Sequence, residues 1–198
     1  MSEPLEPVIP APAPAPAPAG RWRTLDIVVS AVLGATFGVF MAALNAAYAG
    51  LGAGAGSPWL LIYLGWLLPA VLAPLIVRKP GSGLFAEMVA ASVSVLLVSQ
   101  WGPDALVSGF LQGVGAEAAF VAFRYRRFDW PVVSLAGAGS ATLAFAHDAV
   151  LYYQGVTPQL LVLTFAWMVI SAAVLMPIVA LAIVRALREA GALRGFAA

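Results

Sequence analysis

The chain has 198 residues, a formal net charge of +1 and no cysteine; 62% of its residues are hydrophobic, 10% are charged, and the mean hydropathy is +0.95. That balance lies far outside the soluble globular range, and the absence of cysteine excludes disulfides, thiolate metal sites and cysteine nucleophiles together. One histidine is a poor basis for a zinc site, and ten basic residues dispersed along the chain do not make a nucleic-acid patch, so neither a metal nor a nucleic acid is expected.

Residues 1–20 end in an alternating Ala-Pro run, which reads as a stiff, solvated, disordered tail with no core to bury. Beyond it, the ten basic residues fall into four clusters, Arg21/Arg23, Arg78/Lys79, Arg124/Arg126/Arg127 and Arg185/Arg188/Arg194. Each apolar stretch between clusters is about twice the ~20 residues that cross a bilayer once, so each must cross, turn and return. Cytoplasmic loops collect Lys and Arg. The pattern therefore predicts an all-α membrane protein of six transmembrane helices over residues 21–185, both termini cytoplasmic, with a basic cytoplasmic segment at 186–198.

The first helix is expected over about Thr24 to Tyr48, followed by a glycine-rich outer loop, Ala49–Ser57. The second covers about Pro58 to Val77, with Pro69 and Pro74 as kink points, and Arg78-Lys79-Pro80-Gly81 stops it. The third runs from about Leu84 to Ser99, the fourth from Ala105 to Phe123, the fifth from Pro131 to Leu151, and the sixth from Gln159 to Val184.

Polar groups inside a membrane are costly and by default face the bundle interior or a cavity. Here they are Asn45, Glu87, Gln112, Glu117, His147 and Asp148, with no Lys or Arg inside any span to pair the carboxylates. Such acids are either protonated or await a cationic ligand, protons included. Glu87 with Ala91 and Ser94, and Gly109 with Gln112/Gly113 and Ala116/Glu117, form stripes that can face each other across the third and fourth helices. They are a binding site or interhelical hydrogen-bond glue; the two glutamates together with Gln112 favour a site. His147 and Asp148 are sequence neighbours that point about 100° apart on a helix, so a polar lining is favoured over a catalytic pair.

Tyr48, Trp59, Tyr63, Trp66, Trp101, Tyr152 and Tyr153 gather near the outer face, where most aromatics form an interfacial belt. Tyr48, Trp59 and Tyr63 flank the glycine-rich loop and are the first candidates to stack on a flat or cationic ring. The first helix carries a stripe of small residues, with Gly34 and Gly38 beside Ala31 and Ala35, suited to close approach by another helix.

The stretches Arg78-Lys79-Pro80-Gly81, Glu87, Gly109-Phe110-Leu111-Gln112-Gly113-Val114-Gly115-Ala116-Glu117 and Leu135-Ala136-Gly137-Ala138-Gly139-Ser140 resemble the YkoE family, substrate-binding S components of energy-coupling factor (ECF) transporters. The resemblance runs from the first helix to the sixth. It implies a plasma-membrane protein of a prokaryote that binds thiamin or its hydroxymethylpyrimidine precursor in an outward-facing pocket. It also implies docking on an ECF transmembrane coupling protein driven by two ATPase subunits, with no cofactor of its own and no covalent chemistry. On this resemblance Ala31, Gly34, Ala35 and Gly38 become the docking stripe and Ala49–Ser57 a lid. Glu87 and Glu117 would supply charge and hydrogen bonds, Gln112 and Asn45 orientation, and an outer aromatic the stacking surface. Both glutamates fall towards the inner halves of their helices, whereas S-component pockets lie nearer the outside, which leaves open whether one of the two is structural. The alternatives are a cation-coupled carrier that works alone and an intramembrane enzyme, for which no nucleophile or metal set can be assembled.

Overall fold

The computed structural model describes residues 21–51, 63–97 and 99–196; the tail at 1–20, most of the expected lid and Trp59 lie outside them. Six helices follow one another: α1 Thr24–Leu51, α2 Leu64–Val77, α3 Ser82–Leu96, α4 Asp104–Ala122, α5 Trp130–Leu151 and α6 Pro158–Glu189. Among the described residues there is no strand. α1, α4 and α6 are each long and apolar enough to cross a membrane; α2 and α3 are apolar but shorter.

The arrangement follows from how each sequence distributes its apolar residues. α2 is hydrophobic on all sides, and such a helix belongs in the middle of a bundle; from Gly65 to Val77 every residue is buried. It touches all five other helices. Around it α1, α3, α4, α5 and α6 form an open ring in which each packs on the next, while α1 and α6 do not meet. α1 buries only the narrow stripe Asp26, Ser30, Gly34, Gly38, Met41 and Asn45, and exposes Val28, Val32, Val39 and Phe40. Exposed apolar side chains of this kind suit a lipid environment.

Boundaries shift in physically legible ways. α1 continues to Leu51, so Ala49–Leu51 of the expected loop are helical. α6 continues past Val184 to Glu189, where the Arg185–Glu189 pair at 2.8 Å joins successive turns. Arg78 caps α2 in the left-handed conformation (φ 55°) and donates its N–H to Pro74 O; Pro80 and Gly81 follow. Asp129 and Thr157 stand at the N-cap positions of α5 and α6, each followed by a proline in the first turn, where a missing N–H costs nothing.

Small residues set the closest contacts. Gly34 and Gly38, expected on an exposed docking face, instead lie buried against α3. A Cβ on Gly34 would stand 2.5 Å from Ala86 O and 2.8 Å from the Val89 Cβ; one on Gly38 would stand 2.5 Å from the Val93 Cβ. These glycines build the bundle and cannot also be its free surface, while Ala31 and Ala35 beside them are half-buried. Gly115 and Gly139 meet backbone to backbone between α4 and α5; a Cβ on Gly139 would stand 2.5 Å from Gly115 O.

The basic clusters converge on one end. Trp22 donates to Pro80 O at 3.2 Å, Arg23 pairs with Asp26 at 2.8 Å and lies over the Phe196 ring, and the Arg78 guanidinium stacks 4.7 Å from the Phe128 centroid. Burial, helped by nearby Arg188, pulls the Arg78 basicity below its ordinary value. Both described chain ends therefore sit at this basic end.

Candidate functional site

At the opposite half of the bundle, α1, α2, α3, α4 and α5 leave a cavity above the start of α2. Asn45 and Tyr48 enter from α1, Tyr63 and Trp66 from the start of α2, and Glu87, Ala91 and Ser94 from α3. α4 supplies Asp104, Ser108, Gly109 and Gln112, and α5 and its end supply His147, Asp148, Tyr152 and Tyr153. The cavity is partly open to solvent and combines aromatic walls with a few polar side chains, the make-up of a small-molecule site.

Its floor is formed by Glu87 and Gln112. Glu87 is fully buried, and its Oε2 accepts the Ala70 N–H at 3.0 Å, from the segment of α2 between Pro69 and Pro74. Among the described residues its Oε1 has no partner. Gln112 donates to Ser108 Oγ at 2.8 Å, and its Oε1 also has no partner among the described residues. Two buried acceptors with spare capacity are costly unless a donor arrives.

One wall is aromatic. Tyr48 meets Trp66 and Trp101 at 5.3 and 5.7 Å between centroids, Tyr63 meets Trp66 at 5.0 Å, and Trp101 meets Tyr152 at 4.9 Å, all edge to face. Asn45 holds this wall. Its amide donates to Ser94 Oγ at 3.1 Å and Ser99 Oγ at 3.2 Å, and its Oδ1 accepts the Trp66 indole N–H at 3.0 Å. Both ends of its amide are thus engaged within the protein, while the residue itself lines the cavity.

The rim is a hydrogen-bonded chain. His147 Nδ1 lies 3.0 Å from Asp148 Oδ1 and its Nε2 lies 3.2 Å from Asp104 Oδ1. Tyr63 donates to Asp148 Oδ2 at 2.9 Å, and Tyr152 donates to Asp104 Oδ2. Only the doubly protonated ring can donate to both carboxylates at once. Burial, then the neighbouring Asp104 carboxylate, holds the Tyr152 hydroxyl far above the ordinary tyrosine range, so it remains a donor. Among the described residues no group of three or more His, Cys, Asp or Glu side chains is placed to hold a metal ion.

Of the residues read from the sequence, Asn45, Tyr48, Tyr63, Glu87, Gln112, His147 and Asp148 come together here. Glu117 does not. Its Oε1 accepts the Gly83 N–H at 2.7 Å, and its Oε2 accepts the Gly81 N–H at 3.2 Å and the Tyr125 hydroxyl. It thus caps the first turn of α3, whose free N–H groups favour a carboxylate. Asp104 was the residue sequence reasoning passed over, although it is an acid on the face that carries no basic residue. Trp66, Trp101, Tyr152 and Tyr153 also line the cavity; they belong to the outer aromatics, among which spacing alone does not separate a belt residue from a pocket wall.

A six-helix membrane bundle with a polar, aromatic-walled cavity in one half is the architecture of a substrate-binding transport component. Residues 25–143 match the family of ABC-type cobalt transport system permease components. The fold superposes on the crystal structure of an S component of an ECF transporter with a TM-score of 0.83, at 33% identity over 89% of this chain and 91% of that one. The chain is 35% identical over 179 residues, 89% of either protein, to YkoE of Bacillus subtilis (strain 168), named as a candidate HMP/thiamine permease. The chain belongs to the YkoE family of ECF S components. These relatives are transporter components and not enzymes.

Proposed function

We propose that the cavity binds thiamin or its hydroxymethylpyrimidine precursor for ATP-driven uptake. The observation that carries this reading is the pair of buried, unpartnered acceptors, Glu87 Oε1 and Gln112 Oε1, on the floor of an aromatic pocket. An aminopyrimidine presents an exocyclic amine and ring acceptors on one edge; Glu87 accepts from the amine, and the ring packs against the Tyr48–Trp66–Tyr63 wall. The thiazolium of thiamin then lies towards Asp104 and Asp148, where its fixed positive charge is favoured. His147 has both ring nitrogens engaged, an arrangement suited to a hydrogen-bonded ring rather than a metal ligand.

The basic end faces the cytoplasm, following the excess of Lys and Arg there. The protein delivers its ligand by docking on a transmembrane coupling protein served by two ATPase subunits. The exposed flank of α1 beside Ala31 and Ala35, not Gly34 and Gly38, is the surface available for that contact. Co-purification with the coupling protein, lost on replacing Ala31 or Ala35 by a bulky residue while ligand affinity persists, would support this face; retention would remove it.

The experiment for the ligand is tryptophan quenching on detergent-purified protein. Trp66 and Trp101 line the cavity, so saturable quenching by thiamin or by hydroxymethylpyrimidine is expected. Response to thiamin alone places the decisive contact on the thiazolium, and equal response places it on the pyrimidine. No response to either from folded protein would overturn the assignment.

A further inference from the structure

We propose that the rim of the cavity is a charge filter, in which Asp104 and Asp148 admit the free vitamin and turn away its phosphate monoesters. The inference rests on the vitamin reading above and adds a rule of selection to it.

Among the described residues the cavity lining contains three carboxylates, Glu87, Asp104 and Asp148, and neither Lys nor Arg. Among them His147 is the one ionisable base, held between the two rim carboxylates at 3.2 and 3.0 Å. Held between both acids, the ring is either doubly protonated, or neutral with one of the acids protonated, and in each case the Asp104–His147–Asp148 chain carries one net negative charge. The rim is negative in either state. Tyr152 and Tyr63 occupy further carboxylate lone pairs by donating to Asp104 and Asp148, and they add no positive charge. Among the described lining residues there is no Arg or Lys side chain to pair with an incoming phosphate.

Geometry puts the ligand's far end at this rim. The spare acceptors Glu87 Oε1 and Gln112 Oε1 are buried and fix the pyrimidine end on the floor. Asp104 opens α4 and Gln112 lies eight residues later on the same helix, about 12 Å along its axis. A two-ring ligand anchored at the floor therefore places its tail beside Asp104. A phosphate monoester there brings between one and two negative charges at neutral pH. One unit charge about 8 Å from another, at an effective dielectric of about 20, changes affinity roughly thirtyfold. Two such contacts separate free vitamin from ester by a large factor. A transporter with this rim needs phosphomonoester hydrolysis outside the cell to supply its substrate.

The test titrates purified full-length protein with thiamin, thiamin monophosphate and O-acetylthiamin, whose ester tail adds bulk but no negative charge. Wild-type protein is expected to bind thiamin and the acetyl ester with similar affinity and the monophosphate about 100-fold or more weakly. Asp104→Asn is expected to narrow the phosphate gap about tenfold. Equal binding of thiamin and its monophosphate would overturn the filter and leave the vitamin assignment standing. Rejection of the acetyl ester as strongly as the phosphate would make the selection one of size and also overturn it. An unchanged gap in a folded Asp104→Asn protein would remove Asp104 from it; should that variant not fold, the two esters on wild-type protein decide. Folded protein that binds neither thiamin nor hydroxymethylpyrimidine overturns the vitamin reading and the filter together.

Discussion

The two halves of the bundle treat their buried glutamates in opposite ways. At the basic end, Glu117 is saturated by the Gly81 and Gly83 N–H groups and the Tyr125 hydroxyl, and Asp26 is paired with Arg23. Asp129 there is paired with Arg127, which holds its carboxyl below the usual carboxylate range. At the cavity end Glu87 spends one oxygen on Ala70 and leaves the other empty, and no Arg or Lys approaches it. Glu87 and Glu117 are both buried, both glutamates, and both several residues from the basic end of their helices. Burial does not separate the two. Spare hydrogen-bonding capacity does.

The sharpest way to break this contrast is to neutralise each glutamate in turn. Glu87→Gln removes the charge but keeps an acceptor for Ala70, and should weaken thiamin binding by about 10- to 150-fold, the range for a lost charge-assisted hydrogen bond. Titration by tryptophan quenching reads this directly. Glu117→Gln should do the reverse. It puts an amide where a carboxylate met two backbone donors, costing about 1–3 kcal/mol of stability. Ligand affinity should stay within about twofold, because its contacts are not shared with the cavity. Thermal unfolding in detergent measures the first effect and the same quenching assay the second. If Glu117→Gln loses the ligand while Glu87→Gln keeps it, the assignment of the two halves is inverted.

The fold was largely legible in the sequence because its signals are coarse: four basic clusters, long apolar stretches and Arg78-Lys79-Pro80-Gly81 as a stop. The cavity was legible in part. Glu87 and Gln112 stood out because an unpaired polar residue in a span is costly wherever it faces. What the sequence did not carry is three-dimensional pairing. Glu117 looks like Glu87 until the α2–α3 turn is folded back to give it two N–H groups. Gly34 and Gly38 make a small-residue stripe that fits an internal neighbour as well as an external one, and only the course of α3 decides between them. The central place of α2 was implicit in its unbroken hydrophobicity, but the order in which the other helices pack around it was not.

Asn45 tests whether the cavity half is preorganised. Asn45→Ala takes the acceptor from the Trp66 indole and the donor from Ser94 and Ser99, and should weaken binding about tenfold through loss of a held wall. A structural role alone would lower stability and leave the indole environment of the bound state unchanged. A positioning role also shifts Trp66 emission and lowers the maximal quench. Asn45→Asp, which keeps the acceptor for Trp66, should recover part of both.

The smallest expected effect is the most discriminating about ligand orientation. Tyr63→Phe keeps the ring against Trp66 at 5.0 Å and removes only the hydroxyl that donates to Asp148 at 2.9 Å. The freed carboxylate lone pair is no longer shared, so the rim becomes a stronger acceptor for positive charge. If the thiazolium lies beside Asp148, thiamin should bind about threefold more tightly, while hydroxymethylpyrimidine, which has no cationic ring, should be unaffected. The variant should lose about 1 kcal/mol of stability for the missing hydrogen bond, so binding and unfolding move in opposite directions. Equal changes for both ligands would place the pyrimidine, not the thiazolium, beside Asp148 and reverse the ligand in the cavity.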